Sequence, residues 1–220
     1  MARESADCAK IAHLRPLAFC GPNQVPAIEA LLKRLRHAAR PLLALLWAFA
    51  GATALPVAAT PSHWVLIDTD TQTLLVLREQ TVVDRFKQVA IGYGGPSRTH
   101  YLGDATTPRG DFIVKWINES SRFRLFFGLD YPRPEHALEA FQNGRIDEAT
   151  YDEIRWAARL GRLPPQDTPL GGNIGIHGLG AADPEIHRDF NWTDGCVALT
   201  NAQIDRLRRY VSLGTRVLVR

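Results

Sequence analysis

The sequence predicts a mainly β fold: an antiparallel sandwich or barrel-like core that carries a helical insertion and ends in a helix followed by a strand. Three observations support this. From His63 onward, short runs rich in Val, Ile, Leu and Thr are separated by turn residues. Between Glu119 and Gly172 the apolar period changes from that of a strand to that of a helix. The final segment, Thr200 to Arg220, reads as one capped helix and one closing strand. At 220 residues and 45% hydrophobic, the chain has material for one good-sized core rather than two.

Taken in order, the first fifty-nine residues stand apart. The basic stretch Arg34 to Arg40 precedes the apolar run Leu42 to Ala59, and Val57, Ala58 and Ala59 supply the small residues that a signal peptidase reads. Residues 1–59 are therefore expected to be a signal segment with an extended N-terminal region, cleaved before Thr60. The alternative is an uncleaved anchor, because the run approaches the length that spans a bilayer. Residues 60–220 form the expected folded domain. "HWVLIDTD" (His63 to Asp70) and "LLVLRE" (Leu74 to Glu79) predict a hairpin, "TVVDRFKQVAIG" (Thr81 to Gly92) a third strand, and "GDFIVKWIN" (Gly110 to Asn118) a fourth. The insertion spans about 119–172. Within it, "PEHALEAFQNG" (Pro134 to Gly144) has helix start and stop signals. "DEATYDEIRWAARLG" (Asp147 to Gly161) has Asp147 as its cap and Ile154, Ala157 and Ala158 as its apolar stripe. Thr200 and Gln203 then fit a capping box, with Ile204, Leu207 and Val211 on one face, Gly214 as the stop and "TRVLVR" as the last strand.

Charge narrows the partners. Of 26 Lys and Arg, 7 precede Thr60, against 3 of 23 Asp and Glu, so the expected folded domain is close to neutral. The net charge of +3 resides in the segment expected to be removed, and no basic face for nucleic acid is evident. Cysteine usage narrows the chemistry. Cys8 and Cys20 lie upstream of the cleavage point, which leaves Cys196 as the sole thiol of an exported chain: a reactive group, an intermolecular partner, or a buried inert residue.

His177 lies nineteen positions before Cys196, at the end of the short apolar segment "NIGIHG". A thiol attacks as thiolate, and an imidazole can take its proton and return it to a leaving amine. Gly178 and Gly195 let the backbone turn sharply and approach a substrate, and the Gly195 N–H is a candidate donor to an oxyanion. These residue types point to Cys–His acyl transfer and imply no cofactor and no metal. His187, with His177 and Cys196, matches no short zinc-ligand spacing. His63, His100 and His136 are expected at the surface or at an interface. Trp192 is a candidate wall of a substrate cleft, and Arg122 and Arg124 are candidates to meet substrate carboxylates. Asp194 is either an orienting or amine-binding group or a turn residue that bonds its own backbone.

At these positions the sequence resembles the L,D-transpeptidase (YkuD-like) family of bacterial cell-wall enzymes. The family signature, His-Gly followed downstream by Ser/Thr-His-Gly-Cys, is met by His177-Gly178 and by "TDGC" (Thr193 to Cys196). A second feature, Thr-Pro-x-Gly-x-aromatic leading into a strand, is met by "TPRGDF" (Thr107 to Phe112). Two departures, Asp194 where the family usually has His and Ala198 where it has Arg, are similar to a Trp-Thr-x-Gly-Cys branch that carries a helical insertion and includes hydrolases. The resemblance implies a periplasmic or envelope enzyme. Cys196 forms a thioester with a peptidoglycan stem peptide, and His177 acts as general base and acid. The acyl group then passes to an amine, which includes that of a murein-attached lipoprotein, or to water. It also implies acylation of Cys196 by carbapenems. A non-catalytic peptidoglycan-binding module is the reading from outside enzymology.

Overall fold

In the computed structural model, residues 63–220 are described; the expected signal segment, with Cys8 and Cys20, lies outside them. The strands are β1 (Trp64–Asp68), β2 (Thr73–Arg78), β3 (Thr81–Lys87), β4 (Pro96–Ser97), β5 (Thr107–Pro108), β6 (Gly110–Asn118), β7 (Phe126–Leu129), β8 (Gly175–His177), β9 (Val197–Ala198) and β10 (Arg216–Val219). The helices are α1 (Pro134–Gln142), α2 (Glu148–Arg159), α3 (Pro184–Asp189) and α4 (Asn201–Leu207). The β1–β2 hairpin turns where Asp68 Oδ1 accepts from the Thr71 N–H at 2.9 Å, as its polar, Thr-rich sequence predicts. β6 spans the run predicted for the fourth strand from end to end.

Eight strands form one sheet in the order β3-β2-β1-β10-β6-β7-β8-β9, and β4 and β5 form a separate pair. The sheet is mixed rather than purely antiparallel, because β10 returns parallel to β1 (Val65 opposite Val217) and β9 runs parallel to β8 (Ile176 opposite Val197). It also curls. Just past β3, Ala90 exchanges backbone bonds of 3.0 and 2.8 Å with Ala198 of β9, so the two edges of the sheet approach one another as in a barrel. Inside lie Ile67, Leu74, Phe112, Phe127, Leu129, Ile176, Val217 and their neighbours, capped by Ile204 and Leu207 of α4. Burying aliphatic and aromatic side chains of this size stabilises by roughly 1.5–3 kcal/mol each.

Several expectations need correction. The insertion is not wholly helical: β7 lies inside it and belongs to the main sheet, and the helical part is the α1–α2 pair. All four β7 residues are buried, so no alternation marks it as a strand. On α2, Asp147 does cap by accepting from the Thr150 N–H, but of the expected stripe only Ile154 is buried, with Ala157 half-buried and Ala158 exposed. At the C terminus the Thr200–Gln203 capping box is present, while the helix stops at Leu207 and Val211 is buried from a turn. His100 and His136 are core residues rather than surface ones. His136 stacks on Phe112 at 5.6 Å, and His100 Nδ1 donates to the Thr106 carbonyl at 2.8 Å. Satisfied ring nitrogens are what allow the two imidazoles to be buried.

Candidate active site

The ladder of β8 with β9 positions the candidate residues. His177 is the last residue of β8 and pairs with Ala198, while Cys196 directly precedes β9. Because side chains alternate along a strand, Cys196, two before Ala198, emerges on the same face as His177. Both line one cleft of about 410 Å³, together with Arg122, Phe123, Phe126, Asn173, Trp192 and Asp194. The structure therefore brings together the thiol, the imidazole and, of the residues expected at a substrate, Arg122, Trp192 and Asp194, but not Gly178 or Arg124.

The imidazole is strongly constrained. His177 Nδ1 lies 2.7 Å from the Gly178 carbonyl oxygen, which can only accept, so Nδ1 carries the proton and Nε2 keeps its lone pair. Phe123 stacks on the ring at 4.2 Å, Phe126 lies nearly parallel at 5.8 Å, and Trp192 meets it edge-on at 5.9 Å. Burial in this aromatic box pushes the His177 pKa down to about 4; the bond to the Gly178 carbonyl opposes the shift and the Arg122 charge adds to it. The ring is neutral at neutral pH.

Cys196 is half-buried at the cleft floor. Its Sγ donates to the Asn173 carbonyl at 3.4 Å, and desolvation pushes the thiol up to about 12, with the Asp194 carboxylate adding to the rise and the Gly175 N–H opposing it. The resting pair is thus thiol and neutral imidazole, not thiolate and imidazolium.

The loop that carries Cys196 is held by hydrogen bonds that the sequence motifs supply. Thr193 Oγ1 donates to the Cys196 carbonyl at 2.6 Å and accepts from the Gly195 N–H at 3.2 Å. Thr107, the first residue of the second motif, donates from Oγ1 to the Gly195 carbonyl at 2.9 Å and accepts from the Gly92 N–H at 2.8 Å. Sequence reasoning missed Thr107 as a support of the site; its place at the head of "TPRGDF" was the available signal.

Two glycines differ in role from the expectation. Gly195 sits at φ +124°, and a Cβ there would lie 2.7 Å from the Thr106 oxygen, so the turn requires glycine. Its N–H, expected to face an oxyanion, is instead engaged by Thr193 Oγ1. Gly178 does not line the cleft. A Cβ on it would meet the Phe123 oxygen at 2.7 Å and Ile204 Cγ2 at 2.8 Å, and its contribution is the carbonyl that fixes His177. Arg122 is exposed in the cleft with its guanidinium 4.7 Å from the centre of the Phe123 ring, and Asp194 is exposed and lines the same cleft. Arg124 lies outside the cleft, paired with Asp205 at 2.6 Å. Among the described residues, no group of three or more His, Cys, Asp or Glu is placed to hold a metal, and no helix is long and apolar enough to cross a membrane.

A large curled mixed sheet with a few helices is the fold of L,D-transpeptidase domains. The chain belongs to that family: the YkuD L,D-transpeptidase catalytic domain matches residues 62–219. Among solved structures, a variant of the helical cell shape determining protein Pgp2 from Campylobacter jejuni is similar with a TM-score of 0.51 at 16% identity, over 73% of this chain and 47% of that one. An L,D-transpeptidase from Xylanimonas cellulosilytica is 22% identical over 78% of this chain and 66% of that one, with a TM-score of 0.42. Bd1075 from Bdellovibrio bacteriovorus is 17% identical over 73% and 48%, with a TM-score of 0.45. The chain spans about half the length of the Campylobacter and Bdellovibrio proteins. No curated protein matches it.

Proposed function

We propose that this chain is a cell-envelope cysteine acyltransferase that acts on peptidoglycan stem peptides. The observation that carries the reading is the shared cleft, in which a thiol and a neutral imidazole with a free Nε2 stand on one face of adjoining strands. Cys196 Sγ attacks the carbonyl on the L-configured side of the stem's diamino acid. As the S–C bond forms, His177 Nε2 accepts the thiol proton, and it passes that proton to the nitrogen as the C–N bond breaks. A thioester remains. An amine of a second stem, or of a murein-attached lipoprotein, then gives its proton to His177 as its nitrogen bonds the acyl carbon, and the S–C bond breaks as His177 returns that proton to the Cys196 sulfur.

Because thiol and imidazole are both neutral at rest, proton transfer accompanies attack instead of preceding it. Substrate that fills the cleft excludes water and strengthens the hydrogen bonds around the reacting carbonyl. Arg122 and Asp194 carry opposite charges into the cleft without pairing with each other. Arg122 receives a stem carboxylate and Asp194 an acceptor ammonium. Gly195 serves as the turn that aims the thiol, not as an oxyanion donor. The basic and apolar segment before Thr60 directs export.

The test is the product profile of the purified domain with defined muropeptides, followed by intact-protein mass spectrometry. A thioester on Cys196 that resolves into cross-linked dimer is expected. Free peptide without dimer assigns hydrolysis at the same site, and muropeptide binding that survives Cys196→Ala without any adduct assigns a binding module.

A further inference from the structure

The short helix α3, which sequence reasoning did not find, carries a histidine that the proposed chemistry leaves unused. His187 is buried, only 4% exposed, between the two candidate residues in sequence. Its Nδ1 accepts from the indole N–H of Trp192 at 3.3 Å, and its Nε2 is buried with no hydrogen-bond partner among the described residues. To accept at Nδ1, the ring must be neutral with its proton on Nε2, a buried donor that makes no well-formed hydrogen bond and has only the Gln88 backbone nearby, at a cost in stability. An apolar side chain of similar size fills this space without that cost. The imidazole is therefore accounted for by the nitrogen that is bonded. Burial, which lowers the pKa of the His187 ring, agrees with the neutral form.

The residues around Trp192 show what that bond controls. On one side, Asn191 Oδ1 accepts from the Ile91 N–H at 3.0 Å and from Gln72 Nε2 at 2.8 Å. On the other, the Thr193 N–H donates to the Ile91 carbonyl at 3.2 Å, and its carbonyl accepts from Tyr93 at 3.0 Å. The backbone flanking Trp192 is thus fixed, and the freedom that remains is rotation of the indole itself. The indole also makes a T-shaped contact with the imidazole ring of His177. Phe123 and Phe126, which also pack on that ring, come from the strand side before β8; Trp192 alone reaches it from the segment that leads into Cys196.

We propose that His187 is a positioning residue: through Nδ1 it anchors the indole of Trp192 as the cleft wall that sets the imidazole of His177 relative to the Cys196 thiol. The kinetic part of this rests on the acyl-transfer reading above; the anchor itself does not.

The test compares His187→Phe, which keeps the ring volume and removes the acceptor, with His187→Asn, whose amide oxygen takes the place of Nδ1. His187→Gln, which carries its oxygen further out, is the second control. Two readouts are used: kcat and KM for thioester formation with muropeptides, and the indole N–H signal of Trp192 in nitrogen-correlated NMR, assigned by its loss in Trp192→Phe. In His187→Phe the indole signal is expected to shift upfield and exchange at least about tenfold faster. Its kcat is expected to fall about tenfold or more, and by a larger factor than KM rises, as for a misplaced catalytic group. His187→Asn is expected to keep the wild-type signal and to stay within about threefold of wild-type kcat, and His187→Gln to fall between the two. If His187→Phe does not fold, the Asn–Gln difference decides. An unmoved indole signal in His187→Phe, or equal loss of kcat in Asn, Gln and Phe, overturns the proposal. If wild type forms no thioester, the acyl-transfer reading fails while the indole signal still decides the anchor.

Discussion

The floor and the wall of the cleft are held by different means. At the floor, the Thr193–Cys196 turn is fixed by backbone bonds to Ile91 and Tyr93, by a glycine in a left-handed conformation, and by the hydroxyls of Thr193 and Thr107. At the wall, Arg122, Phe123 and Trp192 are held by ring contacts, one indole hydrogen bond and a cation over a ring; the side chains of Arg122 and of Asp194, whose backbone alone belongs to the floor, are exposed. A floor held by the backbone tolerates no change of shape. A wall made of side chains can be altered residue by residue. Substitutions at the floor should therefore abolish chemistry and cost stability, and those at the wall should change substrate preference and leave the fold intact.

The largest effect is expected at Gly195. Gly195→Ala puts a Cβ 2.7 Å from the Thr106 oxygen at a φ of +124°, so thermal unfolding should shift down and thioester formation should drop by about a hundredfold or more. Next is Thr107→Val, which leaves a buried N–H at Gly92 and a buried carbonyl at Gly195 without their partner. Denaturant unfolding should register a loss of about 2–4 kcal/mol, and Thr107→Ser should recover most of it.

Acid should weaken the site through His177. Its pKa is pushed from the usual 6.5 down to about 4, so between those values the unfolded chain binds a proton that the folded chain does not. The stability it contributes is complete above pH 6.5 and is lost as the pH falls towards 4, by an amount on the order of a few kcal/mol. Melts across that range should show the decline, and they should show less of it in His177→Asn. The smallest effects belong to the wall: Arg122→Ala and Asp194→Asn should leave the melting temperature within about a degree or two, as surface changes do, and should raise KM for donor and acceptor respectively. A melting temperature that drops as far in Asp194→Asn as in Thr107→Val would erase the distinction between floor and wall.

The β framework was legible because its strands keep a face to water or end at strong turn signals. The β1–β2 hairpin, β6, the Asp147 cap and the Thr200 capping box all lie where their residues predict. Two elements were not legible, for opposite reasons. "FFGL" is buried on both sides and carries no alternation, and α3 is a short, mostly exposed helix whose one buried residue is His187. The site divides in the same way. Cys196 and His177 announce themselves by residue type and spacing. The Gly195 amide, by contrast, reads in sequence as a free donor, because nothing in the motif reveals that Thr193 turns its hydroxyl back onto it. The supports come from a distant position, Thr107, and an unmarked one, His187, and only the folded chain brings them to Gly195 and Trp192.

The central claim is that Cys196 becomes acylated and that His177 moves the proton. Peptide mapping by mass spectrometry, after brief incubation of wild type, Cys196→Ala and His177→Asn with a defined muropeptide, tests it most directly. The account predicts a stem-peptide acyl group on the peptide containing Cys196 in wild type, none in Cys196→Ala, and accumulation slowed by about a hundredfold or more in His177→Asn. Product formation that persists in Cys196→Ala, or an acyl group on any other residue, would contradict it.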